Sequence, residues 1–248
     1  KIKLIVIVCG VIVYGLRTFF ESNLAVFEKV FSDSFRYHGA NVVNLVCGNF
    51  LPSCDGARDE ELLRELCTKC KIDRPYFEKY YPNNWGYFKE YLTQDDKKYI
   101  EEKVKSLADT ELEDFHYLGI NTGKHAEDSV RSYFQYVYDR NNPEHVQKMR
   151  DSLRNAMMCV KVAQNLIERE NPTHLFTLHG VYASWGPFCD YFCKMGLNVY
   201  VYMKTLDPDF GHFSFNRLPE QNTEIPAAQV WEEKKEIPLN LEQERNLQ

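Results

Sequence analysis

The stretch THLFTLHGVYASWGPFCDYFCKMGLNVYVYM, residues 173–203, decides the fold. Its first apolar run, 174–178, is too short for a helix and sits between Pro172 and Gly180, so it reads as a strand. A His179-Gly180 turn follows, and Pro187 suits the first turn of a helix opening near Trp185. Gly196 is placed to end that helix, and β-branched and aromatic residues at 198–203 make a second strand. The unit is strand, helix, strand, and such a crossover implies parallel strands.

Upstream, residues 143–169 form a long helix with Val146, Met149, Leu153, Met157, Val160 and Leu166 on one stripe, stopped at Asn171-Pro172. The N-terminal run IKLIVIVCGVIVYGL, residues 2–16, is shorter than the roughly 20 residues that span a bilayer, and it lacks a small-residue cleavage site. It reads as a buried strand at about 2–8 entering a glycine loop, which makes a cytoplasmic chain the expectation. Phe20, Leu24, Phe27, Val30 and Phe31 recur at helical spacing after it, and NVVNLVC at 41–47 is a second strand. Two such units, one at each end, predict an α/β class: a Rossmann-like three-layer domain with a mainly parallel sheet over residues 1–204. The loop CGVIVYG lacks G-x-G-x-x-G, which argues against a dinucleotide site there.

Between these units, 57–115 is charged and Tyr-rich and reads as a helical insertion, with stretches at DEELLRELCTKC, PYFEKYY and TQDDKKYIEEKVKSLA. Thr93 is placed to cap the last of these, with Asp95 and Asp96 in its first turn. Gly119 and Gly123 punctuate a turn before a helix from about 124, carrying Val130, Phe134 and Val137 on one stripe. From 205 to 248 the pattern changes: GHFSFNRLPE suits a short extended segment, and the Pro-punctuated remainder reads as a linker toward a further domain.

The chain has 248 residues, 44% hydrophobic and 27% charged, which describes an ordered globular protein. Thirty Lys plus Arg against 36 Asp plus Glu give a net charge of -6 and exclude the broad basic footprint of a general nucleic-acid binder. Of eight cysteines, Cys9, Cys159, Cys189 and Cys193 sit among apolar residues as core side chains. Cys47, Cys54, Cys67 and Cys70 follow the pattern C-x6-C-x12-C-x2-C. That spacing is open to a structural zinc, to a disulfide or to unrelated buried thiols. A thioredoxin-type redox role is disfavoured, because Cys67 and Cys70 are expected to close the acidic helix rather than open one after a strand.

Ligands of parallel sheets bind at the carboxyl ends of the strands, so the 9–18 loop, with Gly10 and Gly15, and the 179–187 loop mark the expected crevice. His179 suits a general base on a sugar hydroxyl, or equally a ring bonded to loop backbone. Gly180 permits close approach, and Trp185 is a stacking face for a sugar or a core residue. Arg131 is an anion clamp or an ordinary surface arginine, and Glu21 a base, a sugar ligand or a helix-dipole residue. No G-x-S-x-G, H-E-x-x-H, Walker loop or kinase signature occurs.

The order of C-G-N-F-L-P-S-C at 47–54, C-T-K-C at 67–70, G-I-N-T-G-x7-R-S-Y-F at 119–134 and L-H-G-V-Y-A-S-W-G-P at 178–187 resembles the N-terminal half of GT-B glycosyltransferases of capsular and other surface polysaccharide biosynthesis. The likeness spans nearly the whole chain and aligns Cys47, Cys54, Cys67, Cys70, Ser129, Arg131, His179, Gly180 and Trp185, with Tyr182 in the same motif. Gly48-Asn49 stands where the family pattern has Asp-Gly, so no role for that Asp carries over. The resemblance implies an acceptor-side domain that binds a glycan or lipid-linked acceptor, with peripheral association at the inner face of the membrane and no nucleic-acid partner. It also implies a nucleotide-sugar donor, held mainly by a second domain. The alternative is a noncatalytic Rossmann-like module that binds a ligand or partner, with or without zinc.

Overall fold

The computed structural model describes residues 3–7, 23–55, 57, 60–80, 84–135, 137–178, 180–204 and 211–215. A six-stranded sheet is built from β1 (Lys3–Ile7), β2 (Asn41–Val46), β3 (Asn84–Tyr87), β6 (His174–Leu178), β7 (Asn198–Lys204) and β8 (Gly211–Phe215). A separate hairpin pairs β4 (His116–Tyr117) with β5 (Ile120–Asn121). The helices are α1 (Asn23–Tyr37), α2 (Glu60–Tyr80), α3 (Gln94–Ser106), α4 (Thr122–Tyr133), α5 (Pro143–Glu170) and α6 (Gly186–Lys194).

Strand order is β3-β2-β1-β6-β7-β8, parallel throughout except for β8, which runs antiparallel to β7. The expected α/β class with a mainly parallel sheet is therefore what the chain adopts. Val42, Val43, Asn44 and Leu45 are buried in succession, as are Leu175 to Leu178, which is why these strands read as continuous apolar runs: both faces are covered. The β1-α1-β2 and β6-α6-β7 units step away from the centre in opposite directions, so right-handed crossovers lay α1 and α6 on opposite faces. Phe31 and Phe35 of α1 pack on Phe176 at ring-centroid distances of 4.8 and 5.4 Å, and Phe176 stacks on Tyr202 at 5.1 Å. On the same face the Ser32 hydroxyl donates to Asn44 Oδ1 at 3.1 Å, satisfying both buried polar groups.

α5 is the main helix of the core, with Met149, Leu153, Met157, Val160 and Leu166 all buried as their spacing predicts. Its 28 residues extend about 42 Å, against about 17 Å for the five of β6. Because its C-terminal end leads into the start of β6, its N-terminal half rises beyond the carboxyl edge of the sheet and forms a wall there. Asn142 caps its start by accepting from Glu144 N–H, and Asn171 ends it in the left-handed conformation at φ 46°. α3 carries the expected Thr93 cap, with Asp96 N–H donating to Thr93 Oγ1 at 3.1 Å and Thr93 N–H to Asp96 Oδ2 at 3.0 Å.

Five local readings are corrected. The region expected to be helical contains β3, a full sheet member. α2 continues past Cys70 and through Pro75 to Tyr80, so the CxxC pair lies inside a helix rather than closing one. α4 begins at Thr122 and stops at Tyr133, which leaves Val137 66% exposed; Val30, placed on the α1 stripe, is 60% exposed. The extended segment at 211–215 joins the sheet through β8, so the sheet reaches beyond residue 204.

Candidate functional site

The direction in which successive strands are added to the sheet reverses between the parallel neighbours β1 and β6, and their carboxyl ends, at Ile7 and Leu178, open side by side. That is where ligands enter sheets of this kind. Gly10, Gly15, Glu21 and His179, all expected near this edge, lie outside the described residues.

The turn at 180–186 is held at nearly every residue. Gly180 takes φ +64° and donates its N–H to Leu178 O. Val181 O accepts from the His125 ring, and Ala183 N–H donates to Ser129 Oγ at 2.9 Å. Ser184 N–H donates to Asp55 Oδ2 at 3.1 Å, while Ser184 O accepts the Cys159 thiol at 3.8 Å. Trp185 and Gly186 N–H both donate to Tyr182 O. The turn is thus tied to α4, α5 and the loop after β2. Ser129, picked out by resemblance, is a buried anchor of this turn. Trp185 is 6% exposed and serves the core as the residue that starts α6, with Tyr182 half-buried beside it at 6.2 Å between ring centroids. Arg131 is exposed on α4, where Nε and Nη2 both donate to Glu127 Oε1.

The loop after β2, residues 47–55, forms the facing wall. Asn155, fully buried on α5, donates Nδ2 to Ser53 O at 2.9 Å and to Ser53 Oγ at 2.7 Å. Asn49, at φ +63°, donates to Cys67 O at 2.7 Å and so clasps the loop to α2. Replacing Asn155 with Ala is expected to cost about 2 kcal/mol, since it leaves the Ser53 carbonyl unpaired inside the protein. Urea unfolding measures it, and an unchanged midpoint would show the loop is not anchored there.

Cys47 accepts N–H bonds from Phe50 and Leu51 at 3.4 and 3.5 Å and lies near enough to Cys67 to feel its charge, and burial pushes its thiol up from the ordinary value. Cys54 lies near enough to Lys148 for its charge to raise the lysine's pKa. Burial likewise holds the Cys159 and Cys189 thiols well above the usual value, so these two remain protonated core groups as expected. All seven described cysteines are unbridged, and among the described residues no set of three or more His, Cys, Asp or Glu gathers to hold a metal ion.

Two groups that the sequence did not single out stand in this wall. Lys148 sits with Nζ 3.9 Å from the Tyr133 ring centroid, its pKa lowered by burial against the raising effect of Asp55, Asp151 and Cys54. Asp55 lies within the range of that ammonium while accepting the Ser184 N–H. The edge therefore offers one desolvated cation, one carboxylate, the Tyr182 ring and a rigid glycine-started turn. Such a set can seat a polar, ring-bearing ligand and hold an anionic or hydroxyl group beside Lys148. Lys148 was hard to find in advance because a lysine in the second turn of an amphipathic helix looks like any solvated charge. Among the described residues no helix is long and apolar enough to cross a membrane. Comparison with protein-family models, curated sequences and solved structures finds no match to this chain.

Proposed function

We propose that the chain is the acceptor-side, Rossmann-like domain of a GT-B glycosyltransferase, moving a sugar from a nucleotide-sugar donor to a glycan or lipid-linked acceptor in surface polysaccharide synthesis. The observation that carries the reading is the rigid 180–186 turn beside the β1/β6 reversal point, locked to the facing loop by Asp55. With the small hairpin set aside, the sheet has the 3-2-1-4-5-6 order of doubly wound nucleotide-type folds, apart from its antiparallel last strand. The motif order quoted above supports the family.

In this reading the acceptor lies along the turn, with a sugar ring against Tyr182 and an anionic or hydroxyl group beside Lys148. The acceptor oxygen forms a bond to the donor anomeric carbon as the bond from that carbon to the nucleotide phosphate breaks. The nucleoside diphosphate leaves with the electron pair, and the acceptor proton passes to a base. His179, directly after β6, is the residue assigned to that base. Metal is not required on this side of the reaction, and the donor is held by the partner domain.

In the complete enzyme, His179→Ala is expected to lower kcat by about 100-fold or more. Lys148→Met is expected to raise the acceptor KM about tenfold with kcat little changed, the signature of lost ground-state binding. Steady-state transfer assays with a panel of nucleotide sugars measure both, and unchanged turnover in the His179 variant would remove its role. Calorimetric titration of this chain with nucleotide sugars should give weak binding or none; tight binding would overturn the acceptor-side assignment. One observation favours the noncatalytic alternative: Asp55 and Ser129 already spend hydrogen bonds on holding loops, as in a pure recognition site.

A further inference from the structure

His125, in the first turns of α4, lies beneath the 180–186 turn and is 3% exposed. Both of its ring nitrogens face atoms that have no proton to give. Nδ1 is 2.6 Å from the Val181 carbonyl oxygen and Nε2 is 2.8 Å from Asp190 Oδ2 on α6. A neutral imidazole carries one N–H and would turn a lone pair toward the second oxygen. The imidazolium donates to both, and an imidazole is more basic than a carboxylate, so the proton belongs on the ring. Among the described residues Asp190 Oδ1 has no hydrogen-bond partner, which leaves this charge pair as the carboxylate's only described compensation. Gly186 packs directly on the ring, so the ring has no room to swing away and rebond.

We propose that His125 is the positioning residue of the crevice: as an imidazolium bridging Val181 O and Asp190, it holds the 180–186 turn in shape, and the turn keeps that shape only while the ring is protonated. The inference rests on the reading of this turn as the crevice wall. The groups acting on the ring are Asp190 from α6, Asp128 one turn further along α4, and the Val181 carbonyl from the turn itself. Asp128 is paired with Lys124 at 2.8 Å, and the thiols of Cys189 and Cys193 beside Asp190 are kept protonated by burial. Burial alone would lower the ring's pKa, but the Asp190 bond and charge outweigh it and the net direction is up. A basic group raised on folding contributes fully below its unfolded value of about 6.5 and loses that contribution as pH climbs through the folded value.

The test uses the whole chain, labelled with nitrogen-15, titrated between about pH 5 and 9 across the window that linkage assigns. Imidazole nitrogen shifts report the ring, and shifts and exchange protection of the Ala183 and Ser184 amides report the turn. Both ring nitrogens should carry protons at neutral pH, and the two amides should change together with the ring above neutrality. Asp190→Asn keeps an oxygen acceptor but removes the charge, so the shared midpoint should fall to about 6.5 or lower. His125→Asn retains a donor toward Val181 and His125→Gln one toward Asp190, and neither titrates, so the step in the amides should vanish in both. A singly protonated ring at neutral pH would overturn the proposal, as would a step that survives in the Asn and Gln variants or ignores Asp190→Asn. If the variants fail to fold, the wild-type ring and amide titrations decide alone. None of these readouts involves sugar transfer, so failure of the proposed enzyme activity would leave them standing and is recognisable separately.

Discussion

Gly123→Ala is expected to be the most damaging single methyl in this protein, lowering stability by about 3 kcal/mol or preventing folding. The residue is in the first turn of α4, where alanine would ordinarily help a helix. A Cβ there would drive into the backbone carbonyls of Leu112 and Glu113, and backbone cannot swing aside as a long side chain can. Gly123 N–H also donates to Phe115 O at 2.9 Å, and Thr122 Oγ1 to the same oxygen at 3.0 Å, so the helix start is pinned in register with the segment it would strike. Relieving the clash would shift α4, and with it the hydrogen bonds that His125 and Ser129 make to the 180–186 turn. Thermal unfolding of the variant beside Gly39→Ala makes the comparison, because among the described residues nothing lies within 4 Å of a Cβ at Gly39, although its φ of +87° carries a strain of its own. A Gly123 variant no less stable than the Gly39 one would show that the close approach is not as tight as described.

Phe176→Ala is the second, with an expected loss of about 4 kcal/mol. The ring is 3% exposed and is touched by Phe31, Phe35 and Tyr202, so it joins α1 to the middle of the sheet. Truncation leaves a cavity between a helix and a sheet that are both fixed by other contacts and have little freedom to collapse. Chemical denaturation should show a lower midpoint. A cost below about 1 kcal/mol would mean that α1 is not docked on that face.

The readable parts of the fold were those bounded by residues with a backbone reason to be there. Pro172, Pro187 and Gly196 marked the limits of β6, α6 and β7, and the helical spacing from Met149 to Leu166 gave α5 and its buried face. β3 was illegible because NWGY is four residues long, contains no β-branched side chain and lies between Tyr-rich helices. Pro75 and the CxxC pair misled about α2, since packing carries a helix through a position that local preference would break. At the site, Ser129 came through motif likeness alone. His125 left a fainter trace: it falls on the same helical face as Thr122, Ala126 and Ser129, a face that is otherwise small and buried. A histidine on such a face needs acceptors, but a sequence does not say that they come from Asp190 and Val181.

The wall of the crevice joins residues that are far apart along the chain. Ser184 and Asp55 are separated by 129 positions, Asn155 and Ser53 by 102, and His125 and Val181 by 56. Closing such loops is slow compared with forming a helix, so the wall is assembled late, after α4 and α5 have their own partners. During synthesis from the N-terminus, the loop after β2 must wait for more than half of the chain to emerge before Asp55 meets its amide. A chain interrupted before α6 can hold its first helices and strands and still have no crevice, which makes the ability to bind a ligand there a late signal that the polypeptide has been made through the β6-α6-β7 crossover.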